Sequence, residues 1–192
     1  SFKRNGTLQR NSDLIAKEIQ EFGGNSIANL FRGKGVPYRE IVEDVAEHMK
    51  VSFEKGESVE HLETKILLAV AIKSMEKMSP DEQQDFMRKV SGGKLAGMGP
   101  AAVAALQVAV LAGGFGSYVL AVTVANAVAR QLVGRGLAIA GNAALARGIA
   151  VFAGPIGWAI TAVWAAFDLA SPAYRVTVPC VIQVAYMRQK AQ

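Results

Sequence analysis

The stretch LAGMGPAAVAALQVAVLAGGFGSYVLAVTVANAVA, residues 95–129, runs for 35 residues without a formal charge. Pro100 can open an Ala/Val/Leu helix to about Leu111, the cluster Gly113-Gly114-Phe115-Gly116 breaks it, and Ser117 to Val133 resumes it. An apolar helical hairpin, Ala101 to Val133, is the reading. A second uncharged run, Gly148 to Phe167, has 20 residues, so both runs meet the length criterion for a membrane span. Their transfer energies sit near the insertion threshold: seven strongly apolar residues in the second run contribute roughly −2 to −4 kcal/mol, which three glycines and Pro155 offset in large part. Small residues recur every fourth position at Ala121/Ala125/Ala129, Ala140/Ala144/Gly148 and Ala162/Ala166/Ala170. Such faces let helices approach closely, in a bundle core and in a bilayer alike.

Around these runs the composition divides the chain. Through Ala96 there are 15 Lys/Arg and 15 Asp/Glu; beyond it six bases face one acid, Asp168, so the whole +5 surplus lies in the apolar half. A nucleic-acid partner would call for a Lys/Arg-dense face, and none is present in this pattern. Hydrophobic residues at 51% and charged residues at 19% exclude disorder for the bulk of 192 residues, which suit one domain. The expectation is an all-α bundle of about eight to ten helices around the Gly/Ala-rich hairpin, as a single domain 1–192. It comprises a tail over 1–10, charged amphipathic helices over 11–96, and apolar helices over 97–192. The polar start shows no signal peptide, so a cytoplasmic location is expected, with membrane association as an alternative.

The first half supplies helix punctuation. Ser12 caps a helix to Phe22, and a short one follows from Asn25 or Ser26 to Gly33. Pro37 suits the first turn of a third, whose Tyr38, Ile41, Val42, Val45 and Met49 make one apolar stripe. A fourth runs from near Ser58 to Met78, and Ser79-Pro80-Asp81-Glu82 offers a capping box for a fifth, Pro80 to about Val90. Near the other end, Tyr174 to Val178 reads as an extended piece or a turn, and Pro179 starts a last, well-buried helix.

Catalytic chemistry is not evident. Gly33-Lys34-Gly35 lacks the first glycine and the Ser/Thr of a phosphate loop. His48 and His61 lie among acids on solvated helix faces, and Cys180 reads as a small buried hydrophobe with no basic neighbour to activate it. Gly23-Gly24-Asn25-Ser26 is more simply a helix-to-helix corner than an anion site. No catalytic residue, cofactor or metal is therefore assigned.

Two blocks carry a resemblance. Glu18 to Val45, EIQEFGGNSIANLFRGKGVPYREIVEDV, and Ser171 to Arg188, SPAYRVTVPCVIQVAYMR, resemble the characteristic blocks of the bacterial YaaW family (UPF0174). The matching positions are Gly23, Gly24, Asn25, Ser26, Ala28, Asn29, Arg32, Gly33, Gly35, Tyr38, Arg39, Tyr174, Arg175 and Pro179. The resemblance brings no catalytic roles with it. It implies a further N-terminal region in the family, and so a chain that is a fragment. The family is more distantly similar to ubiquinol–cytochrome c chaperone domains, which are helical assembly factors working at a membrane. In architecture alone the pattern resembles pore-forming colicin domains.

Three functions follow. The favoured one is a non-enzymatic, amphitropic or pore-forming protein whose partner is membrane lipid, acting through Val103, Leu106, Val110, Phe115, Leu120, Phe152, Trp158 and Trp164. The second is a chaperone-like scaffold with a protein partner, and the third an enzyme of unknown class. The two Tyr-Arg pairs, Tyr38-Arg39 and Tyr174-Arg175, suggest that Arg175 ties the C-terminal helix to the first-half layer through an acid such as Glu18 or Glu43.

Overall fold

The computed structural model of the chain describes residues 36–95, 97, 99–134, 159, 162–163 and 174–191, without the side chains of 130–134 and 175. The expected helices over 11–33, the run 148–167 apart from three positions, Phe152, Trp158 and Trp164 lie outside the described residues. Six α-helices and no strand occur among the described residues.

Helix α1, Tyr38–His48, follows Pro37, which serves as its N-cap residue rather than its first turn. Its apolar stripe buries Ile41, Val42, Val45 and Ala46, and leaves Asp44 and Glu47 exposed. Helix α2, Val59–Met75, starts on Ser58, whose Oγ accepts from the His61 N–H at 3.1 Å. It ends three residues before Met78, the expected terminus. Helix α3, Pro80–Ser91, has the full capping box. Ser79 Oγ accepts from Glu82 N–H at 3.4 Å, and the Glu82 carboxylate accepts from Ser79 N–H at 2.7 Å. Gly92 closes it at φ 64°, a left-handed conformation that a side chain would strain.

Helix α4, Pro100–Leu111, and helix α5, Phe115–Gly134, carry most of the uncharged stretch, α5 running past its end through Arg130. They turn through 102° at the break between them, so the expected hairpin is a corner. Gly113 and Gly114 make that turn at φ 83° and 73°. Helix α6, Tyr174–Ala191, starts five residues before the expected Pro179, which lies inside it and is buried. Proline there forfeits one N–H near the helix start; burial of Val178, Val181 and Ile182 on the same helix outweighs that local cost.

Helices α2 and α5 are central. α2 touches α1, α4, α5 and α6, while α5 touches α2, α3, α4 and α6. Because α2 has neighbours on several sides, Leu62, Ile66, Leu67, Val70 and Ala71 are all buried and no single apolar stripe suffices. On α5 the small residues Ala121 and Ala125 are buried with Leu120, Val124 and Val128, so part of that small-residue face packs the core. Ala162, from another small-residue repeat, is exposed. Helix α6 closes over α1, α2 and α5 with Val178, Val181, Ile182 and Ala185; Met187 is 56% exposed, so the helix is buried on one side only.

Candidate functional site

A carboxylate lies in the core stripe of α2. Glu63 is 2% exposed, beside Leu62 and one turn from Ile66 and Leu67. Such a group is tolerated only with compensating donors. Tyr38 of α1 donates its phenolic hydrogen to Glu63 Oε1 at 2.7 Å, and Arg188 of α6 donates from Nε to Oε2 at 2.9 Å and from Nη2 to Oε1 at 3.4 Å. The remaining arm of Arg188, Nη1, reaches Glu60 Oε1 at 3.0 Å. Burial and the adjacent Glu63 carboxylate push the Tyr38 phenol well above its ordinary range, so it stays a donor. Three helices thus meet on one carboxylate.

A second joint lies on α1. The His48 ring stacks on Tyr174 of α6, with centroids 3.7 Å apart and planes 12° from parallel. The ring is half-buried there, and that burial lowers the His48 pKa. His61 does pair with an acid, Glu57, at 3.4 Å, and is 43% exposed. Arg39 donates to Glu43 at 3.2 Å and to the Glu57 carbonyl at 2.8 Å, fixing α1 to the loop before α2. Cys180 is half-buried and its thiol is raised by burial, which suits a packing role.

Among the described side chains, Arg188 ties the C-terminal helix to the first-half layer through Glu63 and Glu60, beside the His48–Tyr174 stack. Glu43 is engaged by Arg39, while Glu18 and the Arg175 side chain lie outside the described residues, as do Gly23, Gly24, Asn25, Ser26, Arg32, Gly33 and Gly35. Glu63 and Arg188 escaped the sequence reading. The available signal was an acid within the apolar series Leu62, Ile66, Leu67 and Val70; its partner, 125 residues away, gave none.

The second feature is the α4–α5 corner. Leu106, Val110 and Leu120, expected as membrane-active, are fully buried core residues, and Val103 is half-buried. Phe115 is instead 62% exposed, with Val108 at 72% and Tyr118 at 39%. A cleft of about 440 Å³ lies there, lined by Val90, Ser91, Gly92, Lys94, Ala109, Gly113, Phe115 and Gly116. The Ser91 hydroxyl is occupied by Leu95 N–H at 2.8 Å. The lining therefore offers apolar surface and one amine. No single described helix is long and apolar enough to cross a membrane; α4 and α5 pass that test only jointly, across their 102° turn. Among the described residues no group of three or more His, Cys, Asp or Glu could hold a metal.

The family model described as Ubiquinol-cytochrome C chaperone matches residues 9–182. A UPF0174 protein of Helicobacter pylori strain J99 is 40% identical over 193 residues, covering 100% of this chain and 76% of that protein. Another from the same strain is 40% identical over 185 residues, covering 92% of this chain and 87% of its own length. The UPF0174 protein YaaW of Escherichia coli strain K12 is 33% identical over 186 residues, covering 94% of this chain and 72% of its own. No solved structure matches the chain. With a family model spanning most of the sequence and relatives aligned nearly end to end with it, the chain belongs to the UPF0174 (YaaW) family.

Proposed function

We propose that this chain is a chaperone-like helical scaffold that acts by holding a protein partner. The match to the ubiquinol-cytochrome C chaperone model over residues 9–182 carries the reading. The α4–α5 corner supports it, because Phe115 lines a cleft large enough for a side chain, and Val108, one residue before the lining Ala109, is exposed on α4. The cleft lining pairs one amine with apolar groups, which suits holding a ligand rather than transforming it. The membrane reading has less support: Leu106, Val110 and Leu120 are buried in the core, so entering a bilayer would require α4 and α5 to give up their packing against α2 and α3.

The test is site-specific photo-crosslinking in living cells from positions 108 and 115, with exposed position 55 as control. The expected result is one discrete protein adduct at 108 and 115, absent at 55, whose partner forms a stable complex with the purified chain. Crosslinks to lipid alone, or identical adducts at all three positions, would overturn the proposal.

A further inference from the structure

We infer that the segment received at the α4–α5 corner is an apolar peptide flanked by carboxylates, an inference that rests on the scaffold reading above. The apolar half of the recognition is Phe115, which lines the cleft with Val90 and Ala109, together with exposed Val108 and Tyr118 on the two helices that make the corner. Phe115 is held on its inner side, where a Cβ at Gly92 would come within 3.1 Å of its ring, and is open on its outer side. Around it the main chain is bare: a Cβ at Gly93, Gly113 or Gly114 would meet nothing within 4 Å, so a bound segment can approach the backbone closely.

Charge supplies the other half. Between Asp85 and Asp168 every charged residue is basic: Arg88, Lys89, Lys94, Arg130, Arg135 and Arg147. Asp85 itself is paired with Lys89 at 2.7 Å. Lys94 lines the cleft, and Arg88 lies on the last turn of α3, one turn before Gly92. An apolar cleft whose one charged lining residue is a cation favours a partner of the opposite sign. A second copy docked corner to corner would set Lys94 against like charge. A bilayer shares the anionic chemistry but presents a flat surface, whereas the corner is a cleft whose helices keep their inner faces, Leu106, Val110, Leu120 and Val124, in the core.

Two labelled peptides of equal length decide the matter, sharing one Leu/Phe stripe and differing only in Glu or Lys flanks, each titrated against the full chain by fluorescence anisotropy. The acidic peptide should bind more tightly by about fivefold or more, the factor matching one exposed ion pair of about 1 kcal/mol, with the advantage shrinking in salt. Lys94→Glu should reverse the order, and Phe115→Ala and Val108→Ser should weaken both peptides while leaving the helical circular dichroism unchanged. Equal affinity for the two peptides, still lost in Phe115→Ala, would overturn the charge inference and leave the scaffold reading standing. Binding of neither peptide, whether or not vesicles of about one-third anionic lipid bind, would overturn both.

Discussion

Replacing Arg188 with Met keeps the apolar stem of the side chain and removes both the charge and the donors that face Glu63. The magnitude follows from burial. Glu63 is 2% exposed and, among the described side chains, would retain the Tyr38 hydroxyl at 2.7 Å. Breaking a fully buried ion pair from one side costs about 3–5 kcal/mol. Arg188 is 35% exposed, so water already screens part of its interaction, and a loss of about 2–3 kcal/mol is expected. The contact with Glu60, itself 48% exposed, adds under about 1 kcal/mol. For a chain of this size the loss lowers Tm by about 4–12 °C. Glu63→Gln is milder, about 1–2 kcal/mol, because the amide oxygen still accepts from Tyr38 and from Arg188 Nη2 and the buried charge is gone, while the amide nitrogen now faces the Arg188 Nε donor. In the double variant the Arg188 loss should shrink, giving a coupling of about 1–2 kcal/mol in urea unfolding followed by circular dichroism. A cost below about 0.5 kcal/mol for Arg188→Met, or strict additivity of the two changes, would refute the junction and return Arg188 to the class of surface ion pairs.

Two further predictions test the packing and the second joint. Ala125→Leu should destabilise by about 1–3 kcal/mol, because Ala125 is buried and its carbonyl accepts from Gln183 Nε2 of α6 at 3.0 Å, whereas Ala162→Leu at an exposed position should be near neutral; equal melting of both variants would contradict the α5–α6 contact. Burial holds His48 below its ordinary 6.5, so the folded chain binds fewer protons than the unfolded one near that pH. The contribution to stability is full above about pH 6.5 and is lost as pH falls through that value towards the lower folded pKa. His48→Phe preserves the ring stack on Tyr174 and should flatten the urea midpoint between about pH 7.5 and 5.5; an unchanged slope would show that another group titrates.

Local chemistry was legible wherever a neighbour in sequence supplies the partner. Ser79 to Glu82 announced its helix start because both halves of the capping box lie within four residues. The stripe Tyr38, Ile41, Val42, Val45 and Met49 named the inward side of α1, since acids occupy the opposite side. The start of α6 was misplaced because proline propensity is a local quantity, and the apolar seam that carries Val178, Val181 and Ile182 into the core is not. The series from Leu95 to Ala129 fixed its own helicity and its break at the glycines, but an uncharged helix has no polar side from which to read an orientation.

Sequence by itself therefore determined the helical class, the caps, the concentration of positive charge in the apolar half and the family. Only the tertiary structure decided that Leu106, Val110 and Leu120 are core while Val108 and Phe115 face outward, and that Glu63 is neutralised by a residue 125 positions away. The physical reason is common to both: burial and ion pairing depend on which helices come to lie side by side, and in uniformly apolar helices the individual side chains carry no mark of that choice.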